Sequence, residues 1–211
     1  MKLGSSASVC VAHAAVARRS LCGVVSPTPL THSPHMPEAD SFRIRRATVA
    51  DATLLADQRV AMFRGMNRTT SETEPRLREA CIRYLTEALG NGEYVSWIAE
   101  GVDGSPNPLG GAGVQMRPLF PRPDPSGRAL LVGREGLILS VYVAPQYRRR
   151  GIARGLMETI IAWAPGAGIV RLVLHASDDG RALYEQLGFK ASNEMLFPPI
   201  LPSPRSSGGG V

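Results

Sequence analysis

The chain has 211 residues, of which 44% are hydrophobic and 6% aromatic, with 22 Gly, 17 Pro and a formal charge of +6. This length suits one domain, or one domain with tails, and the apolar content excludes a chain disordered throughout. The sequence contains no apolar run of the length a bilayer-spanning helix needs, so a membrane is not among the expected partners.

Charge is unevenly spread. Residues 1–37 carry Lys2, Arg18 and Arg19 and no acidic residue, so half of the excess positive charge lies there. The same stretch holds Cys10, Cys22 and three of the four histidines, and ends in the Pro-rich run SPTPLTHSPHMP. Residues 1–40 are expected to be a disordered leader or an artefactual extension. A basic, acid-free start is also the composition of an organelle transit peptide. Residues 41–197 are then the working domain, and 198–211 a disordered Ser/Gly-rich tail. A cytoplasmic location is expected, with organelle targeting by residues 1–35 as the alternative. The working domain retains one cysteine, Cys81, and one histidine, His175. That excludes an intradomain disulfide framework and a His/Cys zinc cluster, so no metal is expected.

Phe42 to Arg46 alternates apolar and basic residues and predicts a short strand. Thr48 and Asp51 have the spacing of a capping box, and the apolar residues from Leu54 to Phe63 continue it as a helix to about Met66. A second helix is predicted from near Pro75 through Leu89, stopped by Gly90-Asn-Gly92. Tyr94 to Glu100 and Leu109 to Met116 read as strands, and Arg117 to Arg128 as a long Pro-rich loop. Gly136 to Val143 is almost wholly apolar, as a strand buried on both faces would be. A helix from about Gly151 to Ala164, a strand Ile169 to Leu174, a helix Asp179 to Leu187 and a last strand Phe189 to Leu196 complete the order. The expected class is α/β, a mixed sheet flanked by helices.

The sharpest chemical signal is VYVAPQYRRRGIARGLM, Val141 to Met157. A buried strand ends, a basic turn follows, and a glycine opens a helix. Helix N-termini carry unpaired N–H groups and a partial positive charge. A glycine there admits an anion close to the backbone, and arginines add complementary charge. This pattern reads as a pyrophosphate cradle or, more plainly, as a solvated basic turn. It is neither a Walker sequence nor a GxGxxG fingerprint.

Two motifs narrow the choice. Arg148-Arg-Arg-Gly151-Ile-Ala153 resembles the Q/R-x-x-G-x-G/A motif of the GNAT superfamily of acetyl-CoA-dependent N-acyltransferases. Leu183-Tyr184-Glu-Gln-Leu-Gly188-Phe189 resembles that family's LYxxxGF segment, and FRIRRATVADATLLADQ its first strand and helix. The resemblance spans roughly Phe42 to Leu196 and implies the GNAT acyl-CoA N-acyltransferase fold.

It also implies that acetyl-CoA is the cosubstrate and that a primary amine, of a small molecule or a peptide, accepts the acetyl group directly. The amides from Arg149 to Ala153 would hold the pyrophosphate, with Arg148, Arg149, Arg150 and Arg154 alongside and Gly151 and Ile152 in the turn. The pantetheine arm would lie against the main chain at Val141 and Val143, where the fourth and fifth strands splay. Ser177 stands where many members carry an asparagine that contacts the cofactor. Tyr184 matches the tyrosine assigned as the acid that protonates the leaving thiolate, which a phenol of pKa ~10 does only with help from the site. Some members use a glutamate as base at the position of Leu137. Leucine accepts no proton, so Glu135, on the same face but about 6–7 Å along the strand, and His175 are the candidates. Met62, Phe63, Met66, Tyr94, Trp97 and the 117–128 loop would form the acceptor side. An acyl-CoA-binding regulatory domain without turnover is the alternative function. No nucleic-acid partner is expected, and the protein would be a monomer or homodimer.

Overall fold

The computed structural model describes residues 42–102, 108–192, 194 and 195. The expected leader (1–40), the tail (198–211), part of the turn before Pro108 and the end of the expected last strand lie outside the described residues. Strand β1 spans Phe42–Arg46, and a short 3-10 turn, Val49–Asp51, leads into helix α1, Ala52–Gly65. The capping box exists: Thr48 N–H donates to the Asp51 carboxylate at 2.7 Å. Asp51 also accepts from Arg45, at 2.9 and 2.7 Å, which ties the end of β1 to the start of α1. Helix α2 runs Thr73–Asn91 and ends at Gly92, whose φ of 78° is the left-handed conformation that a helix stop requires.

Five strands form one sheet in sequence order: β1, β2 (Tyr94–Gly101), β3 (Pro108–Pro123), β4 (Leu130–Val143) and β5 (Ile169–Leu174). The neighbours are antiparallel except β4 and β5, which are parallel and joined through helix α3, Ile152–Trp163. A parallel pair needs such a crossover, because a tight turn can return the chain only antiparallel. Helix α4, Asp178–Gln186, follows β5. The helices divide the core in two. On one face Ile152, Leu156, Met157 and Ile160 of α3 pack on Val95, Trp97, Val114 and Ile138. On the other, Leu55, Ala56, Cys81, Leu85 and Ala88 of α1 and α2 pack on Tyr94 and Ile98. Burying an aliphatic side chain of this size contributes roughly 1.5–3 kcal/mol, so α1, α2 and α3 are held chiefly by their apolar stripes.

Two expectations are corrected. Arg117 to Arg128 is largely strand rather than loop: β3 and β4 extend as a long hairpin closed around Asp124. The Asp124 carboxylate accepts from the N–H groups of Arg128 and Ala129 at 2.9 and 3.1 Å, which replaces the missing ladder bonds of the turn. The bulge between Leu119 and Arg122 absorbs the irregular proline spacing. The other correction concerns the segment from Phe189, where none of the described residues is strand. Phe189 instead meets Tyr184 edge-on, ring centroids 6.2 Å apart, and packs on the α3 core. Its apolar side chain is thus consumed by the helix layer, not by a pleat.

Candidate active site

Strand β4 carries the decisive irregularity. Gly111 pairs with Tyr142 and Gly113 with Leu139, so two residues, Ser140 and Val141, face the single residue Ala112. Ser140 takes φ 54°, a left-handed conformation unfavourable for a residue with a Cβ. The bulge reverses the pleat: Leu139 packs toward α1 and α2, whereas Val141, two residues on, packs toward α3. Pairing with β5 stops at Ile138–Leu174. The edge of Leu139–Val143 is therefore without a β5 partner, and along it Val143 O accepts from Arg148 Nε at 3.3 Å.

That edge opens into a cleft of about 570 Å3. Val141 and Val143 line it with Arg148, Arg149, Gly151, Ile152, Ala153 and Arg154, and Ser177 and Tyr184 form the far wall. Gly151 is the N-cap of α3, φ 82°, with no side chain capping the helix. Its N–H neighbours in the first turn consequently lack intrahelical partners; Gly155 N–H is the one that bonds back to Gly151 O, at 2.9 Å. A Cβ at Gly151 would meet nothing within 4 Å, so the space over the turn is open. Positive side chains, free amides and an open backbone together suit a pyrophosphate.

Several expected residues have other commitments. Arg148 Nε donates to Val143 O at 3.3 Å, and Arg154 donates to the Gln186 side-chain oxygen and pairs with Glu158 at 3.7 Å. Arg150 turns back from the cleft, donating to Gln146 O at 3.2 Å with its guanidinium 5.6 Å from the Tyr147 ring. The left-handed turn at Arg149, φ 65°, redirects the chain between the two arginines. Ser177 lines the cleft but also caps α4, its Oγ accepting from Gly180 N–H at 3.3 Å. Tyr184 is half-buried against Phe189, and burial raises its pKa, which keeps the phenol protonated.

Neither base candidate reaches the cleft. Glu135 is 4% exposed and sits between Arg117 on β3 and Arg171 on β5, which are its register partners on either side. Both guanidiniums bond its carboxylate at 2.7 Å. Strand alternation does place Glu135 and Leu137 on one face, but the bulge puts Val141 and Val143 on the other. His175 is exposed beyond the end of β5 and lines neither this cleft nor the cavity behind it. Glu135 joins strands, and His175 is solvated.

The second cavity, about 340 Å3, lies between α1, α2 and the sheet and meets the bulge at Leu139 and Ser140. Tyr94 lines it as expected, fully enclosed, with its pKa pushed up to about 12 by burial. Trp97 does not: it is on the opposite face, 4.9 Å from Trp163 in an edge contact. Met62 and Met66 line the cleft beside β4 and α3, and Phe63 lies under Arg59. Sequence reading missed Gln58, Arg59 and Ser140. One signal was available: Gly111 and Gly113, where a Cβ would strike the Gln58 side chain of α1 and the Tyr94 ring of β2, mark a strand that is closely approached.

Comparison with known proteins places this architecture. Residues 60–189 match the model of the acetyltransferase (GNAT) family. The chain belongs to that family, whose members are acetyl-CoA-dependent N-acetyltransferase enzymes. Among solved structures, a GCN5-related N-acetyltransferase from Ralstonia eutropha JMP134 is 30% identical with a TM-score of 0.64, over 75% of this chain and 99% of that one. A predicted acetyltransferase from Clostridium acetobutylicum, solved with acetyl-CoA, is 26% identical with a TM-score of 0.61, over 74% and 95%. An aminoglycoside N(6')-acetyltransferase type 1 from Acinetobacter genomosp. 13 is 35% identical over 27% of this chain and 41% of its own length. A glucosamine 6-phosphate N-acetyltransferase from Trypanosoma brucei brucei is 30% identical over 42% and 54%. The match thus spans about half the length of these two relatives. An aminoglycoside N(6')-acetyltransferase type 1 from Stenotrophomonas maltophilia matches over 78% and 98%, at 27% identity.

Proposed function

We propose that the protein transfers the acetyl group of acetyl-CoA directly to the primary amine of a small molecule or peptide. The observation that carries this reading is the junction at Ser140. There the β4 edge, the uncapped turn of α3 and Tyr184 line one cleft, and the α1–α2 cavity reaches the neighbouring residues Leu139 and Ser140 of the same strand. Family membership supports acetyl-CoA as the donor, and relatives named for N-acetylation of an aminoglycoside or of glucosamine 6-phosphate support nitrogen as the accepting atom.

Acetyl-CoA supplies an acyl carbon activated as a thioester. The first-turn amides of α3, with Arg148, Arg149 and Arg154, bind the pyrophosphate. The main chain of Val141 and Val143 aligns the pantetheine arm and leaves the thioester at the bulge. The amine nitrogen, entering from the α1–α2 side, attacks the carbonyl carbon, and the carbon–sulfur bond breaks. Tyr184 Oη–H gives its proton to the departing sulfur; burial raises its pKa, so the phenol enters the step protonated but as a weaker acid, and the transfer is concerted with carbon–sulfur cleavage. The attacking amine loses its own proton to water, because Glu135 and His175 are elsewhere.

Calorimetry with acetyl-CoA, followed by thiol release across a panel of primary amines, tests the reading. Micromolar binding and amine-dependent release are expected. Binding without release from any amine would leave a regulatory acyl-CoA-binding domain, and no binding would remove both readings.

A further inference from the structure

The α1–α2 cavity has a polarity of its own. Most of its wall is apolar, from Leu55, Leu77, Leu85 and Leu139. At the end that meets the bulge stand Gln58 and Arg59. Gln58 is 8% exposed, and its amide nitrogen has no hydrogen-bond partner among the described residues. Arg59 donates one N–H to Ser140 Oγ at 2.7 Å, also meets the Cys81 thiol, and lies 5.0 Å from the Phe63 ring centroid. No carboxylate among the described residues pairs with it, although nine other arginine–carboxylate contacts lie elsewhere in the fold. Among the described residues no Asp or Glu lines the cavity.

A half-buried guanidinium without an anion, beside a buried amide donor without an acceptor, is an incomplete set of interactions. Water can fill the space, but a ligand that displaces it has to replace those hydrogen bonds. A carboxylate or phosphate in the cavity gives the guanidinium its missing anion, which guanidinium recognises in a fork geometry, and Gln58 lines the same cavity. A polycationic amine would place further positive charge against Arg59 with no acid to balance it.

Resting on the reading of the cleft as the acetyl-CoA site, we propose that the acceptor is an amine with an apolar body that carries an anionic oxygen group, bound by Arg59 and Gln58 at the inner end of the α1–α2 cavity. Because Arg59 is bonded to the bulge residue itself, the anion and the reacting nitrogen lie close together, as in an amino acid. Specificity then resides in an interaction that neutral and polycationic amines cannot make.

The test compares amines that differ in the anion. Phenylalanine is paired with phenethylamine, glucosamine 6-phosphate with glucosamine, and kanamycin serves as the polycation. At least one anionic member is expected to exceed its neutral partner tenfold or more in kcat/KM; the first pair reports a carboxylate, the second a phosphate. Arg59→Gln should erase that preference while acetyl-CoA affinity by calorimetry stays within twofold, and Arg59→Lys should keep part of it. Preference for a neutral amine or kanamycin, or a preference that survives Arg59→Gln, overturns the proposal. If no amine is acetylated, the enzyme reading fails separately, and calorimetry with N-acetyl-phenylalanine decides this one: binding lost in Arg59→Gln upholds it, and no binding to the wild type overturns it. Should Arg59→Gln be insoluble, Gln58→Leu, which removes the unpaired donor, is expected to lower the anionic preference at least threefold; an unchanged ratio overturns the proposal.

Discussion

Arg59 Nη1 donates to Ser140 Oγ at 2.7 Å, joining residues 81 positions apart across the α1–β4 interface. Ser140 is the bulge residue held at φ 54°, so this bond fixes a strained backbone against the helix that walls the second cavity. Ser140→Gly relaxes the backbone but removes the acceptor. It should leave thermal stability within about 1 kcal/mol, as the two effects offset. Steady-state kinetics should show a raised KM for the amine with unchanged acetyl-CoA affinity; equal loss on both substrates would mean that the bulge itself has collapsed.

Gly151 separates geometry from charge. Gly151→Ala meets no neighbour, so its cost is the left-handed φ alone, about 1 kcal/mol. Gly151→Glu adds bulk and a negative charge above the unpaired amides of α3. Calorimetry should find acetyl-CoA binding weakened a few-fold by alanine and abolished by glutamate, and glutamate-variant binding at wild-type strength would remove the pyrophosphate from this turn.

Tyr184→Phe should lower kcat tenfold or more with little change in acetyl-CoA affinity. Burial raises the phenol's pKa, so the form that donates persists above the ordinary value near ~10. The wild-type rate should therefore fall on the alkaline side above about pH 10, and that limb should be missing from the phenylalanine variant. A pH–rate profile identical in the two proteins would end the acid assignment.

Glu135 is predicted to matter for folding and not for proton transfer. Its carboxylate, 4% exposed, joins β3 to β5 through Arg117 and Arg171. Glu135→Gln keeps the shape, loses the charge, and should cost about 2–3 kcal/mol in urea unfolding, moderated because both arginines reach solvent. The folded fraction should retain wild-type kcat and an unshifted acidic limb. A collapse of kcat with stability intact would restore a base role.

The Asp51–Arg45 contact sets an acid limit on stability. The Arg45 guanidinium bonding its carboxyl holds Asp51 at about 2, below the ordinary 3.8. The stabilisation is therefore complete above pH 4 and is lost as pH falls through 2. Exposure of Arg45 keeps it modest, about 1 kcal/mol. Asp51→Asn should lower Tm at pH 6 and flatten the Tm profile between pH 4 and 2, as scanning calorimetry would show.

Much of this protein was determined by short stretches of its sequence alone. The helices begin and end where Thr48, Asp51 and Gly92 place them, because caps are local chemistry. The turn from Arg148 to Ala153 read by itself as a pyrophosphate cradle or a solvated basic turn, since a glycine, helix-start amides and charges within six residues need nothing distant. Tertiary structure decided the rest. Glu135 seemed free to accept a proton until strand register set Arg117 and Arg171 on either side of it. Val141 turned to the α3 face because Ala112 faces two residues of β4. The unpaired Gln58 amide lies against the sheet because Gly111 leaves room there for α1, as Gly113 leaves room for the Tyr94 ring. Each depends on which residues meet across the fold, and side-chain periodicity within one strand or helix carries no record of its partners.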